Sequence, residues 1–225
     1  MPLVAGGELS RWWRVGLPIV APLVRIVFRV RVLGAEHVPL SGPAILAFNH
    51  VSALDGPLLA IELARHIKRE SRFLVAAEFF RRRDIGWILR RYDQIPVRRG
   101  LGDGSALDAA LSAVKGGVVL ALAPEGTVNA DPATLLRIRS GIARIALPTG
   151  APVIPVGLWG TQQRWPRSGL TWRRPLRPSV AIVFGEPLLP AGDIDDERDV
   201  EDFRERLHAH LERQVERARA LAAES

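Results

Sequence analysis

The chain of 225 residues predicts an α/β domain: a mixed, largely parallel central sheet flanked by helices, preceded by an N-terminal helical segment suited to a membrane interface. Three observations lead there. Short apolar runs alternate with stretches of helical periodicity, the pattern of strands joined by crossover helices. Four of those runs end in a polar motif, at the position where parallel sheets place their ligand-binding loops. The N-terminal stretch pairs tryptophans with arginines and falls short of the ~20 uninterrupted apolar residues of a spanning helix.

The elements follow in order. Residues 11–28 open with Arg11-Trp12-Trp13-Arg14 and are broken by Pro18, Pro22 and Arg25. Such a segment either lies in the interface, with indoles at the acyl boundary and cations among headgroups, or packs on the protein's own core. Residues 27–33 alternate in part and stop at Gly34, which reads as a strand. Residues 43–48 are an apolar run closed by Asn49, and residues 57–69 a helix, since Pro57 is tolerated near a helix start. Residues 72–77 read as a strand and residues 78–91 as a basic helix carrying Phe79, Phe80, Trp87, Ile88 and Leu89. A short strand spans 94–97. The clearest helix is 105–115, with a capping-box pattern at Ser105 and Asp108 and Gly116 at its end. Strand 118–123, helix 136–147 and strand 153–158 follow. An Arg/Trp/Pro loop covers 165–178, a strand 180–184 and a charged closing helix 200–222. No internal repeat or low-complexity linker interrupts this series, and the length suits a single core.

Composition narrows the chemistry. Without cysteine there are no disulfides, thiolate nucleophiles or cysteine metal sites. His37, His66, His208 and His210 are too scattered to assemble a metal set, so neither metal nor cofactor is expected. No small-residue cleavage site follows a clean apolar stretch, which argues against a signal peptide. Mean hydropathy is +0.09 and net charge +7, with Lys68 and Lys115 the only lysines. The charge is uneven: residues 65–99 hold eleven basic and four acidic side chains, and residues 193–225 six basic and eleven acidic. A basic body suits an anionic partner such as a membrane surface. Nucleic acid would suit the charge too, but the chain carries no nucleic-acid motif.

The four strand-end motifs are Asn49-His50, Arg98-Arg99-Gly100, Pro124-Glu125-Gly126-Thr127 and Trp159-Gly160-Thr161. If their strands are parallel, all four emerge on one rim. His50 and Asp55 are five residues apart, about 140° on a helix, so they meet only if His50 is in the loop and Asp55 in the first helical turn. Asp55 would then fix the imidazole tautomer and leave the other nitrogen free to take a proton. The same Ser52-Ala53-Leu54-Asp55 stretch is also a capping-box pattern, in which Asp55 merely caps the helix. Glu125-Gly126-Thr127 is either a plain turn or a loop whose amides and hydroxyl meet an anion. Arg98-Arg99 is either solvated charge or a phosphate clamp.

On these residues the chain resembles the glycerolipid acyltransferases of the 1-acylglycerol-3-phosphate acyltransferase type. His50 and Asp55 match that family's His-x4-Asp block. Gln94-Ile95-Pro96-Val97-Arg98-Arg99 looks like its second block, Pro124-Glu125-Gly126-Thr127 its third, and Val153-Ile154-Pro155-Val156-Gly157 its fourth, with Pro155 at the block's proline. Three positions depart from the pattern: Ala123 where an aromatic residue is usual, Val128 where an arginine usually follows the threonine, and Arg98 where an acidic residue is frequent.

The resemblance runs from about Gly34 to Pro187; with the Trp/Arg pattern before it, residues 1–33 are expected as an interfacial anchor and 34–225 as the acyltransferase domain. It implies transfer of a fatty acyl group from acyl-CoA or acyl carrier protein, as co-substrate, to a hydroxyl of lysophosphatidic acid or a related lysophospholipid in phospholipid biosynthesis. His50 would be the general base and Asp55 its orienting acid. Asn49, Ser52, Arg98, Arg99, Glu125, Gly126, Thr127 and Pro155 would shape the substrate site, with Arg99 on the acceptor's phosphate. The expected location is peripheral or monotopic on the cytoplasmic face of a bacterial inner membrane, against anionic lipid. The departures keep other acceptors open: glycerol 3-phosphate, a lyso-aminolipid or a glycosylated phosphoinositide. A non-catalytic protein that binds anionic lipid through its basic surface is the alternative of another class.

Overall fold

The structure, a computed structural model, describes residues 9–98, 103–172 and 175–224. Seven strands form one sheet: β1 (Arg29–Leu33), β2 (Ala44–Phe48), β3 (Ser71–Ala76), β4 (Ile95–Val97), β5 (Val119–Leu122), β6 (Val153–Trp159) and β7 (Ser179–Phe184). Their spatial order is β1-β7-β6-β2-β5-β3-β4. β2 through β6 run parallel to one another. β7 pairs antiparallel with β6, and β1 pairs parallel with β7. The sheet is therefore mixed and largely parallel, as the alternation of elements predicts.

Two helical layers cover it. On one face α2 (Asp55–Ile67) inserts Leu58, Leu59 and Leu63 against Leu46, Phe48, Ile154 and Val156. On the other, α5 (Gly104–Lys115), α6 (Gly141–Thr149) and α7 (Glu197–Ala223) cover Ile45, Ala47, Leu120 and Val153. Alternate residues of β2 thus serve opposite layers, which is why its sequence is apolar throughout. Phe203, Leu207 and Leu211 of α7 recur every four residues and are fully buried, one side of the helix facing the sheet. Gly157 lets α7 approach β6 closely: a Cβ there would lie 2.1 Å from the Gln214 carbonyl oxygen.

The N-terminal helix α1 (Arg11–Val27) packs on the protein's own core along one side. Trp13 and Leu17 pack against Ala64, Ala60 and Ile61 of α2, and Arg25 pairs with the buried Glu62 at 2.9 Å. The opposite face leaves Val15, Ile19, Leu23 and Ile26 exposed. Among the described residues no helix is long and apolar enough to cross a membrane. β1 lies on the N-terminal side of the expected boundary at 33/34, yet it is hydrogen-bonded into the common sheet through β7.

Several boundaries differ from the sequence reading. The basic helix expected over 78–91 is two pieces, α3 (Ala77–Phe80) and α4 (Arg83–Arg91). On α4 Trp87 and Ile88 are exposed, and the Trp87 ring meets Trp12 edge-on at 6.4 Å. α5 is capped not by Ser105 and Asp108 but by Asp103, whose carboxylate accepts the Ala106 N–H. α6 starts at Gly141 rather than 136. The intervening backbone is engaged elsewhere: Leu136 N–H goes to the Glu125 carboxylate and Arg139 N–H to the Pro124 carbonyl.

Candidate active site

The parallel strands bring His50, Glu125 and Thr161 to one rim. β2 ends at Phe48, and Asn49 continues its ladder with a side chain: its Nδ2 donates to Leu158 O at 3.0 Å and its Oδ1 accepts Leu158 N–H at 2.7 Å. That double bond fixes where the chain leaves the sheet. His50 comes next, its ring edge-on to Phe48 with centroids 6.0 Å apart.

Asp55 is the first residue of α2 and is fully buried. Its Oδ2 accepts the Val51 N–H at 2.7 Å and the Ser52 N–H at 2.8 Å, and lies 3.0 Å from His50 Nδ1. Its Oδ1 accepts the Thr161 hydroxyl at 2.5 Å. The two roles that the sequence allows for Asp55 are thus one arrangement, because the carboxylate that ties the turn also holds the imidazole. A carboxylate accepts, so His50 Nδ1 carries the hydrogen and Nε2 is left as the basic nitrogen. The imidazole retains 20% exposure, enough to meet a substrate.

Glu125 is also buried, and each oxygen serves a different loop. Oε1 accepts the His50 N–H at 2.7 Å, and Oε2 the Leu136 N–H at 3.2 Å. Burial pushes this carboxyl above the ordinary glutamate range, while the two N–H donors pull the other way. The His50 carbonyl in turn accepts the Asn129 N–H at 2.6 Å. Glu125 therefore joins the loops after β2 and β5 to the segment leading into α6. Gly126 sits at φ +72°, the left-handed region that glycine enters without steric cost. Beside this turn is a depression of about 630 Å³ lined by Glu125, Thr127, Arg137, Arg139, Ser140 and Arg204.

A sequence family described as Acyltransferase matches residues 29–159, a span that runs from β1 to the end of β6 and contains this rim. The chain belongs to this acyltransferase family. It is similar to the N-acylphosphatidylethanolamine synthase of Arabidopsis thaliana, 32% identical over 162 residues, 67% of this chain and 57% of that protein. It is also similar to the 1-acyl-sn-glycerol-3-phosphate acyltransferase of Bacillus subtilis, 24% identical over 159 residues, 71% of this chain and 73% of that one. The crystal structure of the 1-acyl-sn-glycerophosphate acyltransferase PlsC from Thermotoga maritima superposes with a TM-score of 0.69 at 26% identity, covering 94% of this chain and 85% of that one. The chain spans little more than half the length of the Arabidopsis relative.

Within this acyltransferase fold the expected site residues divide. His50, Asp55, Glu125, Gly126 and Thr127 meet at the rim. Asn49 and Ser52 are there too but fully engaged with backbone: Ser52 Oγ accepts the Leu54 N–H at 3.1 Å, and both residues are buried. They shape the His50 turn rather than line a substrate surface. Pro155 corrects the expectation: it lies inside β6 opposite Ala47, below the rim, and its carbonyl accepts the Gly185 N–H at 2.8 Å. Arg98 also stands apart. β4 is the outermost strand, and the Arg98 side chain and backbone N–H both bond to Asp103. Arg99 lies outside the described residues. Thr161, Leu136 and Arg139 were not among the expected site residues. Thr161 had a signal, since it follows β6 at the same rim. Leu136 and Arg139 had none, because they reach the site from a loop with no polar pattern.

Proposed function

We propose that the chain transfers a fatty acyl group from a thioester, acyl-CoA or acyl carrier protein, to a hydroxyl of lysophosphatidic acid or a related lysophospholipid. The observation that carries this reading is the 3.0 Å contact between His50 Nδ1 and the buried, fully bonded carboxylate of Asp55. An alcohol must shed its proton as it attacks a thioester, and Nε2 of His50 takes it. The hydroxyl oxygen bonds to the acyl carbon, the carbon–sulfur bond breaks, and the departing thiolate receives the proton back from the imidazolium. Asp55 stabilises the cation in between, the role of the acid in a hydrolase triad. The substrate's own hydroxyl replaces an enzyme nucleophile, so no acyl-enzyme forms.

The names of the Bacillus subtilis and Thermotoga maritima relatives support a lysophosphatidic acid acceptor. Arg99 is proposed as a ligand of the acceptor's phosphate on the resemblance of its sequence block. A bilayer location is supported by the exposed apolar face of α1 and by Trp87 and Ile88 of α4. Arginines 11, 14, 90 and 91 flank that surface, which fits a peripheral protein on anionic lipid.

A second reading has its own support. The Arabidopsis relative is named for synthesis of N-acylphosphatidylethanolamine, and Ala123 and Val128 depart from the third block beside the site. On that reading the acceptor is the amine of a phospholipid headgroup, with His50 still the base.

The test is a panel of lysophosphatidic acid, glycerol 3-phosphate and phosphatidylethanolamine, each incubated with labelled acyl-CoA. Labelled phosphatidic acid is expected from wild type, and His50→Ala is expected to lose about 10²–10⁴-fold in rate with an unchanged circular dichroism spectrum. Turnover retained in His50→Ala would refute the base. Label in N-acylated phosphatidylethanolamine would select the second reading. Vesicle binding without thioester consumption would leave a non-catalytic lipid binder.

A further inference from the structure

We infer that the loop between β6 and β7 is a second bilayer contact, which inserts Leu170, Trp172 and Leu176 into anionic lipid and turns the His50 rim toward the leaflet. The inference rests on the bilayer location proposed above and extends it to a segment that starts at the active site itself.

The loop has a built frame. Arg164 is buried, and its guanidinium donates to three loop carbonyls rather than to a carboxylate: Thr171 at 2.9 Å, Pro175 at 3.2 Å and Leu176 at 2.7 Å. Its Nε has no partner among the described residues. A cation buried without a counter-ion is costly, so the three carbonyls that offset the cost are drawn into one arrangement. The Thr171 N–H returns to the Arg164 carbonyl at 2.8 Å, and Gly169, at φ +115°, turns the chain between them. The guanidinium also lies 4.8 Å from the centroid of the Trp172 ring.

What this frame presents is apolar. Leu170 is 51%, Trp172 65% and Leu176 69% exposed. Single exposed apolar side chains are ordinary, but three within seven positions of a fixed loop mark a surface that something covers. That surface is continuous with α1. Arg177 Nη2 donates to the Arg25 carbonyl at 2.5 Å, and the Arg29 N–H to the Pro178 carbonyl at 3.0 Å. Leu176 and Ile26 each stand next in sequence to one of the first pair, and both are exposed. Charge selects the occupant. No Asp or Glu occurs between Asp131 and Glu186, while residues 164–178 contain five arginines. Tryptophan and leucine among arginines suit the boundary between anionic headgroups and acyl chains.

The loop springs from the helical turn Thr161–Gln163 at the end of β6. Thr161 donates to the Asp55 carboxylate that holds His50, and its carbonyl accepts the Trp165 N–H at 3.1 Å. A loop seated among headgroups therefore sets the imidazole at the surface where a lysophospholipid presents its hydroxyl. The acceptor reaches the base without leaving the leaflet, and the bilayer does part of the positioning.

The chain has no cysteine, so a single thiol at Leu176→Cys, or at Lys115→Cys as control, can carry an environment-sensitive fluorophore. Lys115 is exposed where α5 leads into β5, at the edge of the sheet away from the rim. Vesicles of phosphatidylcholine with phosphatidylglycerol carry a nitroxide on their acyl chains. The Leu176→Cys probe should be quenched at least threefold more than the control, and vesicles of phosphatidylcholine alone should bind at least tenfold more weakly. Leu170→Ser with Leu176→Ser should lower vesicle affinity about tenfold or more. Trp172→Ser, made separately, should lower it about threefold, and a thermal melt confirms that each variant folds. Both should lose at least fivefold in kcat/KM on vesicle-borne lysophosphatidic acid and stay within twofold on a monomeric short-chain acceptor. Equal loss on the two acceptors would reduce the loop to a structural part of the site. If wild type binds vesicles but the two probes are quenched alike, the loop inference falls and α1 remains the docking face. If wild type binds no vesicle, the bilayer location itself fails and the loop with it. A lipid-free dimer that dissociates in Leu170→Ser with Leu176→Ser would give the surface to a second copy of the chain and overturn the inference. If wild type transfers no acyl group, the quenching alone decides.

Discussion

Thr161 offers the sharpest test of how Asp55 is held. Its hydroxyl is the partner of Asp55 Oδ1, at 2.5 Å, and both residues are fully buried. Thr161→Val keeps the shape and removes the donor, leaving a carboxylate oxygen orphaned away from water. A hydrogen bond to a charged group contributes about 1.5–3 kcal/mol. For a chain of this size roughly 2–4 °C accompany each kcal/mol, so Tm should fall by about 3–12 °C. With Oδ1 released, the carboxylate is anchored by Oδ2 alone, and the imidazole it orients gains freedom. The expected kinetic result is a kcat loss of about tenfold, equivalent to about 1.4 kcal/mol, with KM within twofold. Thr161→Ser, which keeps the hydroxyl, should restore most of it. The assays are differential scanning calorimetry and steady-state acyl transfer with lysophosphatidic acid. Unchanged Tm and kcat in Thr161→Val would refute the reasoning. A lower Tm with unchanged kcat would reduce Thr161 to a packing residue.

Three further outcomes are expected. The raised Glu125 carboxyl holds its proton more tightly folded than unfolded, so its contribution to stability is full below the ordinary glutamate range. That contribution falls as pH rises through the folded value; urea midpoints from pH 4 to 7 should lose this slope in Glu125→Gln, and an unchanged slope would disprove the assignment. Gly126→Ala forces a left-handed residue, costing about 1–2 kcal/mol, and sets a Cβ against the Arg139 side chain; Tm should drop, and a silent variant would contradict the turn geometry. Leu23→Asp with Ile26→Asp removes two exposed apolar side chains from α1, each worth about 1.5–3 kcal/mol on burial; sedimentation with phosphatidylglycerol vesicles should weaken at least tenfold, and equal binding would move the docking face elsewhere.

Much of the scaffold was legible because its strands are buried on both faces. β2 and β5 are fully buried, as is β6 up to Trp159, and they read as unbroken apolar runs. The His50–Asp55 pair was legible because it is local and its contact needs only one turn. What failed was non-local. Residues 136–140 carry apolar spacing that reads as helix, but their N–H groups serve Glu125 and Pro124, and a period cannot report a tertiary bond. Thr161 meets Asp55 across 106 positions, a contact fixed by β6 lying beside β2. Pro155 misled for the opposite reason: a motif residue can be diagnostic while its work is done inside a strand. Asp103 outcompeted Ser105 as a cap because its carboxylate also takes the Arg98 backbone N–H.

The two-sided helix α1 has a consequence for handling the protein. Trp13 and Leu17 close over Ala64 of α2, so trimming the chain before β1 would not yield a tidier, more tractable fragment. It would strip a lid from the interior and trade one greasy surface for another. Detergent or nanodisc should be matched to the whole molecule, because the proposed adhesion and the observed architecture draw on the same seventeen residues.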